Sequence, residues 1–157
     1  MLTKLSLFSG IGGDDLASDW AGIKTICFVE KDKYCQQVLK KHWPNIPIIG
    51  DVKDVTKEKV KATVDIIGGG FPCQPVSCAG KRKGKDDDHW LWPEMFRIIH
   101  EFSPTWVVGE NVAGLITLGL QDVLSDLEGI GYRTQAFLIP ACAINAWHRR
   151  DRIFIIA

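Results

Sequence analysis

An α/β fold, with a mostly parallel central sheet flanked by helices, is what the sequence predicts, and three observations predict it. Apolar, β-branched runs alternate with stretches in which apolar residues recur at helical spacing. The first of these units reads as strand, glycine turn and helix, the local plan of nucleotide-binding β-α units. Residues capable of chemistry then fall repeatedly at predicted strand ends, where open α/β sheets bind their ligands.

Leu2 to Phe8 alternates apolar and polar residues as a strand does, and meets the turn Ser9-Gly10-Ile11-Gly12-Gly13. Leu16, Ala17, Trp20 and Ala21 follow at helical spacing. Lys24 to Val29 is a second strand ending at Glu30, and Tyr34, Val38, Leu39 and Trp43 mark a second helix, stopped by Pro44. Ile46 to Ile49 is a short third strand ending at Gly50 and Asp51, and Thr56 to Ala62 is expected to be a short polar helix. Val64 to Ile67, the fourth strand, delivers Gly68-Gly69-Gly70-Phe71-Pro72-Cys73-Gln74-Pro75. In that loop glycine permits close approach of backbone to a ligand, and the prolines fix φ on either side of the cysteine. Ala79 to Asp88 holds almost nothing apolar and is expected to be an exposed loop. Leu91 to Phe102 is a helix with Met95, Ile98, Ile99 and Phe102 inward, Trp106 to Gly109 a strand ending at Glu110 and Asn111, Leu118 to Leu127 a helix, and Gly131 to Leu138 a sixth strand. Ile153 to Ile156 closes the chain as a buried strand preceded by His148, Arg149, Arg150 and Arg152.

At 157 residues the chain suits one domain with a real core. Lys plus Arg and Asp plus Glu stand at 19 each, so the overall charge points to no polyanionic partner and local basic clusters must carry any such case. Five scattered cysteines without C-x-x-C pairs or a secretory leader suit a reducing cytosol and argue against a zinc site. Cys27, Cys35 and Cys142 read as small apolar residues, buried in the usual way.

Cys73 is set apart by its loop at the proposed ligand edge, where a thiol can serve as a nucleophile. Cys78 lies in the same stretch and is open to a supporting role. An acid at the position of Glu30, about twenty residues past the glycine turn, can accept both hydroxyls of a ribose. Glu110 follows an apolar strand, where partial desolvation would raise its pKa toward that of a usable proton donor. Arg149, Arg150 and Arg152 suit a phosphate or carbonyl oxygen, and Lys81, Arg82, Lys83 and Lys85 could follow a polyphosphate backbone.

Taken together, Phe8-Ser9-Gly10-Ile11-Gly12-Gly13, Glu30, Asp51, Gly70-Phe71-Pro72-Cys73-Gln74, Glu110-Asn111-Val112 and Arg150-Asp151-Arg152-Ile153-Phe154 resemble, in order and spacing, the DNA (cytosine-5) methyltransferase family. The resemblance covers essentially the whole chain and implies the Rossmann-like fold of S-adenosylmethionine-dependent methyltransferases. It places the turn Ser9, Gly10, Ile11, Gly12, Gly13 along the methionine part of the cofactor, Glu30 on the ribose and Asp51 near the adenine. By the same matching Phe8, Val52, Pro72 and Leu91 become cofactor neighbours. The target would be a cytosine of double-stranded DNA flipped out of the helix. Cys73 would attack carbon 6 of its ring, Glu110 would hold and protonate the ring nitrogen, and Arg150 or Arg152 would bind the base carbonyl.

This sequence departs from the family pattern in two residues, with His148 where the arginine signature usually opens with glutamine and His89 where an arginine is common. Family members also continue into a recognition domain and a final helical segment. The expectation is therefore one catalytic and cofactor-binding domain over residues 1–157, truncated: either a fragment, or one half of a split enzyme whose second polypeptide supplies the remainder. Rival readings are a Rossmann oxidoreductase, which leaves Cys73 and the arginines idle, a non-catalytic methyltransferase-like subunit, and an RNA cytosine methyltransferase.

Overall fold

The computed structural model describes residues 1–72 and 90–157. Seven strands form one sheet: β1 (Thr3–Leu7), β2 (Lys24–Val29), β3 (Ile48–Ile49), β4 (Ile66–Gly69), β5 (Trp106–Val112), β6 (Gln135–Pro140) and β7 (Asp151–Ile156). Their order is β3-β2-β1-β4-β5-β7-β6. The pairs from β3 to β5 are parallel, and β7 is antiparallel to both neighbours. The strand order reverses between β1 and β4, so the carboxyl ends of these strands border a crevice. The mostly parallel sheet expected from the sequence is present.

Among the described residues five helices accompany it: α1 (Gly13–Trp20), α2 (Lys33–His42), α3 (Trp92–Phe102), α4 (Leu115–Leu118) and α5 (Leu120–Gly129). Strand register sorts the residues onto two faces. One face carries Leu5, Leu7, Ile67, Val107, Ile153 and Ile155, which pack with Met95, Ile98 and Ile99 of α3 and Val123 and Leu127 of α5 as the main core. The other face carries Lys4 and Ser6 of β1, Gly68 of β4, Val108 and Glu110 of β5, and Arg152, Phe154 and Ile156 of β7.

Helix α1 lies on that second face and inverts the usual pattern. Its apolar residues Leu16 and Trp20 are exposed, Trp20 at 80%, while Asp15 and Ser18 are buried. The cause is β1, whose inner residues here are polar. Lys4 Nζ lies 2.6 Å from Asp14 Oδ2 and 3.0 Å from Asp15 Oδ1, and donates to Ser18 Oγ at 2.8 Å. Ser6 Oγ and Thr25 Oγ1 donate to the two oxygens of Asp15, each at 2.9 Å. Every member of this buried cluster thus has a partner, as burial of charge requires.

Four expectations need correction. Thr56 to Ala62 makes one hydrogen-bonded turn, Val60 N to Thr56 O, and no helix. Seven residues are too few to offset helix nucleation, and Val60 and Val64 must both reach the core. The helix expected from Leu118 to Leu127 is broken at Gly119 into α4 and α5. Gly131 to Leu138 forms strand only from Gln135, and runs on to Pro140. Cys142 is exposed in a 3-10 turn, Ala141–Ile144, and Cys35 is half-buried, so of the three cysteines read as buried only Cys27 is so. Burial pushes the Cys27 thiol up to about 11. No helix of the described residues is long and apolar enough to cross a membrane.

Candidate active site

At the carboxyl ends of β1, β2 and β4 the chain makes a cavity of about 430 Å³. Its wall is built from Phe8, Glu30, Asp51, Val52, Pro72 and Leu91, all singled out from the sequence, with Val29, Lys31, Lys53 and Gly70. The turn before it is shaped by positive φ at Phe8 (53°), Gly10 (55°) and Gly12 (87°). At Gly12 a side chain is excluded twice, because its φ is left-handed and a Cβ would stand 2.5 Å from the Trp43 ring.

Ser9, Gly10, Ile11, Gly12 and Gly13 are not part of the cavity wall, and Ile11 points outward. They act on it through Glu30. Gly10 N donates to Glu30 Oε2 at 2.7 Å, and Asp32 N donates to Oε1 at 2.7 Å. Ser9 Oγ accepts from Val29 N at 3.2 Å, closing the turn against β2. The carboxylate is therefore held from two sides by main chain, with one lone pair on each oxygen still directed elsewhere. Asp51 caps the short turn Val52–Asp54 by accepting from Lys53 N at 3.0 Å, the ordinary role of a turn aspartate, and lines the cavity as well.

Strand β4 then separates this cavity from a second polar group. Glu110, expected at a strand end, lies inside β5, because β7 extends the pairing of β5 to Val112. Its Oε1 is 2.9 Å from Nε of Arg152, which faces it from the neighbouring strand β7. Burial pushes the Glu110 carboxyl above its ordinary value, and the charges of Arg152 and Arg150 act against that rise. A half-buried carboxyl of raised pKa beside a guanidinium can donate a proton and regain it.

Gly68, Gly69 and Gly70 explain how these groups sit so near the backbone of β4. A Cβ on Gly68 would stand 3.2 Å from Lys4 Cε, one on Gly69 2.3 Å from the Leu7 carbonyl oxygen, and one on Gly70 2.7 Å from Glu110 Oε2. Each glycine admits a different neighbour. Asn111, next along β5 and facing the other way, donates from Nδ2 to the Phe71 carbonyl at 3.0 Å and accepts from Val112 N at 2.9 Å. It thereby anchors the chain two residues before Cys73. Phe71 itself is buried against Trp90 and Trp92, and Leu91 N donates to Pro72 O at 3.4 Å.

Arg152 is committed to Glu110 and to the Asp151 carbonyl, whereas the guanidinium of Arg150 makes no hydrogen bond or ion pair to another described residue. Arg150 holds a left-handed φ of 38°. Cys73, Gln74, Cys78, the lysines and arginine from Lys81 to Lys85, and His89 lie outside the described residues. Sequence reasoning missed Lys4, Asp14 and Asp15. A lysine on the inner side of an alternating strand, ten residues before an Asp-Asp pair that opens a helix, was the signal available.

Residues 2–157 match the family described as C-5 cytosine-specific DNA methylase. The chain is 36% identical over 161 residues to the type II methyltransferase M.PspPI of Psychrobacter, covering 97% of this chain and 38% of that protein. It is 39% identical over 173 residues to the type II methyltransferase M.AquIA of Picosynechococcus, covering 97% of this chain and 70% of that protein. Among solved structures, a putative DNA modification methyltransferase encoded within a prophage of E. coli superposes with a TM-score of 0.83 at 26% identity, over 99% of this chain and 46% of the other. The chain thus spans less than half the length of several relatives it matches.

Proposed function

The chain belongs to the C-5 cytosine-specific DNA methylase family, and on that premise we propose that it carries the cofactor-binding and catalytic part of a DNA cytosine-5 methyltransferase. The observation that carries the reading is the placement of two unlike sites on either side of one glycine strand: a cavity with a main-chain-held acid, and a half-buried acid paired to arginine.

The cavity suits S-adenosylmethionine by the chemistry of its wall. Glu30 offers free lone pairs to vicinal hydroxyls, Asp51 a further acceptor, and Phe8, Val52 and Leu91 apolar surface for a flat base. When bound, that cofactor supplies an electrophilic methyl group. The chain's own residues prepare the acceptor. The Cys73 thiolate adds to carbon 6 of a flipped cytosine while Glu110 donates its proton to the ring nitrogen, so the electron pair of the broken C5=C6 bond makes carbon 5 nucleophilic. After carbon 5 has gained the methyl group, a base removes the proton of carbon 5, the C5=C6 bond re-forms, the thiolate leaves and the ring nitrogen returns its proton to Glu110. Arg152 keeps Glu110 in place, and Arg150 is available to the base carbonyl.

A second polypeptide completes this reading. Over β5, β7 and β6 the face that bears Glu110 is covered by no helix of the described residues, leaving Phe137 and Ile139 exposed on β6 and Trp106 half-exposed at the far end of β5, with Leu16 and Trp20 of α1 also bare. Apolar surface of this extent suits a covering segment. We assign that role to a partner that supplies the recognition domain and a packing helix, and expect the isolated chain to bind cofactor weakly and methylate poorly. Robust single-turnover methylation of unmodified DNA by the chain alone would contradict this.

The experiment that tests the reading is covalent trapping. A duplex carrying 5-fluorocytosine, which has no proton to lose at carbon 5, is incubated with the chain and S-adenosylmethionine, with Cys73→Ala as control and an RNA of the same sequence in parallel. A Cys73-dependent DNA adduct is expected. Its absence even with a partner chain supplied would favour a regulatory subunit, and an adduct on RNA alone would reassign the substrate.

A further inference from the structure

The connection from β6 to β7 is an unusual display. It is pinched at its base by Ala141 N donating to Arg149 O at 2.6 Å, and turns through Asn145 at a φ of 68°. At its tip Trp147 is 96% exposed, although tryptophan is seldom left outside a fold. The His148 ring meets the Trp147 ring edge-on, with centroids 5.4 Å apart at 75°, which steadies the indole and leaves a face open. Arg149, whose side chain is 80% exposed, and Arg150 follow directly. The loop leaves the sheet beside Arg152, which pairs with Val112 at the carboxyl end of β5, the edge that also carries Glu110.

We propose that Trp147 is a stacking residue for nucleic acid, resting its indole on a base face laid open when the target leaves the duplex, with Arg149 holding an adjacent phosphate. This deepens the DNA methylase reading and rests on it. An open aromatic ring flanked by guanidinium groups is the combination that binds unstacked bases along a charged backbone. The chain runs from Trp147 directly into imidazole and two guanidinium groups, a cationic setting that suits a polyanion, with Ala146 and the exposed Ile144 on its other side. Arg150 holds a left-handed backbone, costly for a side chain of that size.

The test uses the 157-residue chain labelled with 5-fluorotryptophan, the Trp147 resonance being identified from Trp147→Phe. Two 16-base-pair DNA duplexes are titrated, one fully paired and one with a single unpaired cytosine. The Trp147 resonance is expected to shift with the second. Trp147→Ala should weaken binding to it about tenfold while leaving the paired duplex within about twofold, and Trp147→Phe should retain most of the affinity. Arg149→Gln should weaken both duplexes alike and reduce the salt slope by about one. No shift with either duplex, or equal weakening of both by Trp147→Ala, overturns the proposal. The covalent trapping is independent of this: an adduct with affinity unchanged in Trp147→Ala sinks the stacking alone, and a Trp147 shift without any adduct even when a partner chain is supplied sinks the methylase reading alone.

Discussion

Replacing Gly70 by alanine should separate catalysis from folding. The new Cβ would stand 2.7 Å from Glu110 Oε2, and the atom that must yield is the end of a side chain. Ordinary contact requires that oxygen to retreat by about 0.5–1 Å. Its partner oxygen now lies 2.9 Å from Arg152 Nε, and the same displacement takes that pair beyond the ~3.2 Å at which an N–H···O bond weakens. Both groups are partly exposed, so the loss to stability should be about 1 kcal/mol, or about 2–4 °C in Tm. A proton donor misplaced by about 1 Å, however, lowers the rate on the order of 100-fold. Gly69→Ala supplies the contrast, since its Cβ would stand 2.3 Å from the Leu7 carbonyl oxygen, main chain of the adjacent strand that cannot move alone. That substitution should cost about 3 kcal/mol or more. Stability is read by urea denaturation followed by far-UV circular dichroism, and chemistry by the rate of Cys73 adduct formation. Wild-type trapping by Gly70→Ala, or a loss of stability as large as that of Gly69→Ala, refutes the assignment of Gly70 to the Glu110 contact.

Lys4→Met leaves Asp15 buried with only hydroxyl partners, and should destabilise by about 3–5 kcal/mol in urea denaturation, with Asp15→Asn added to it restoring about half. Glu30→Gln leaves one of the Gly10 and Asp32 N–H groups without an acceptor, so titration calorimetry should show cofactor affinity reduced by more than about tenfold, with the fold retained. Glu110→Gln should flatten the pH dependence of stability. The folded carboxyl titrates above its unfolded value, so its contribution is complete below about pH 4 and is lost as pH rises through the folded pKa. Urea midpoints measured from pH 4 to 8 should show the difference, wild type minus variant, falling with pH, and a difference rising with pH would reverse the assignment.

Much of this fold is legible in the sequence because its strands and helices differ in period, and because strand tips of parallel sheets collect functional groups. Phe8, Glu30, Asp51, Val52, Pro72 and Leu91 converge on one cavity from five separate segments, Glu30 and Asp51 as their positions at strand ends implied and the other four as the family resemblance implied. What could not be read depended on partners distant in the chain. Glu110 lies within a strand because β7, some forty residues later, returns antiparallel to prolong β5. Helix α1 shows its apolar stripe to solvent because Lys4, Ser6 and Thr25 make the underlying sheet polar, and periodicity reports that a stripe exists without saying what it meets. The length of a polar segment such as Thr56 to Ala62 likewise says little when neighbouring core residues dictate its path.

The described residues that lead toward Cys73, Gly70 and Phe71, are held by consecutive residues of one strand. On β5, Glu110 faces the α1 side and Asn111 the α3 side, as alternation requires. Glu110 meets Gly70 across the first face and Asn111 holds the Phe71 carbonyl across the second. The two ends of this clamp therefore grip adjacent residues of the chain that leads to Cys73, with Gly70 also lining the cofactor cavity. A shift of β5 along β4 would break both contacts at once, carrying the proton donor away from Gly70 and the Asn111 amide away from the Phe71 carbonyl. On its other side Gly69 seats β4 against the Leu7 carbonyl oxygen of β1, the strand that carries the glycine turn. The glycine run and the Glu-Asn pair thus act as one device.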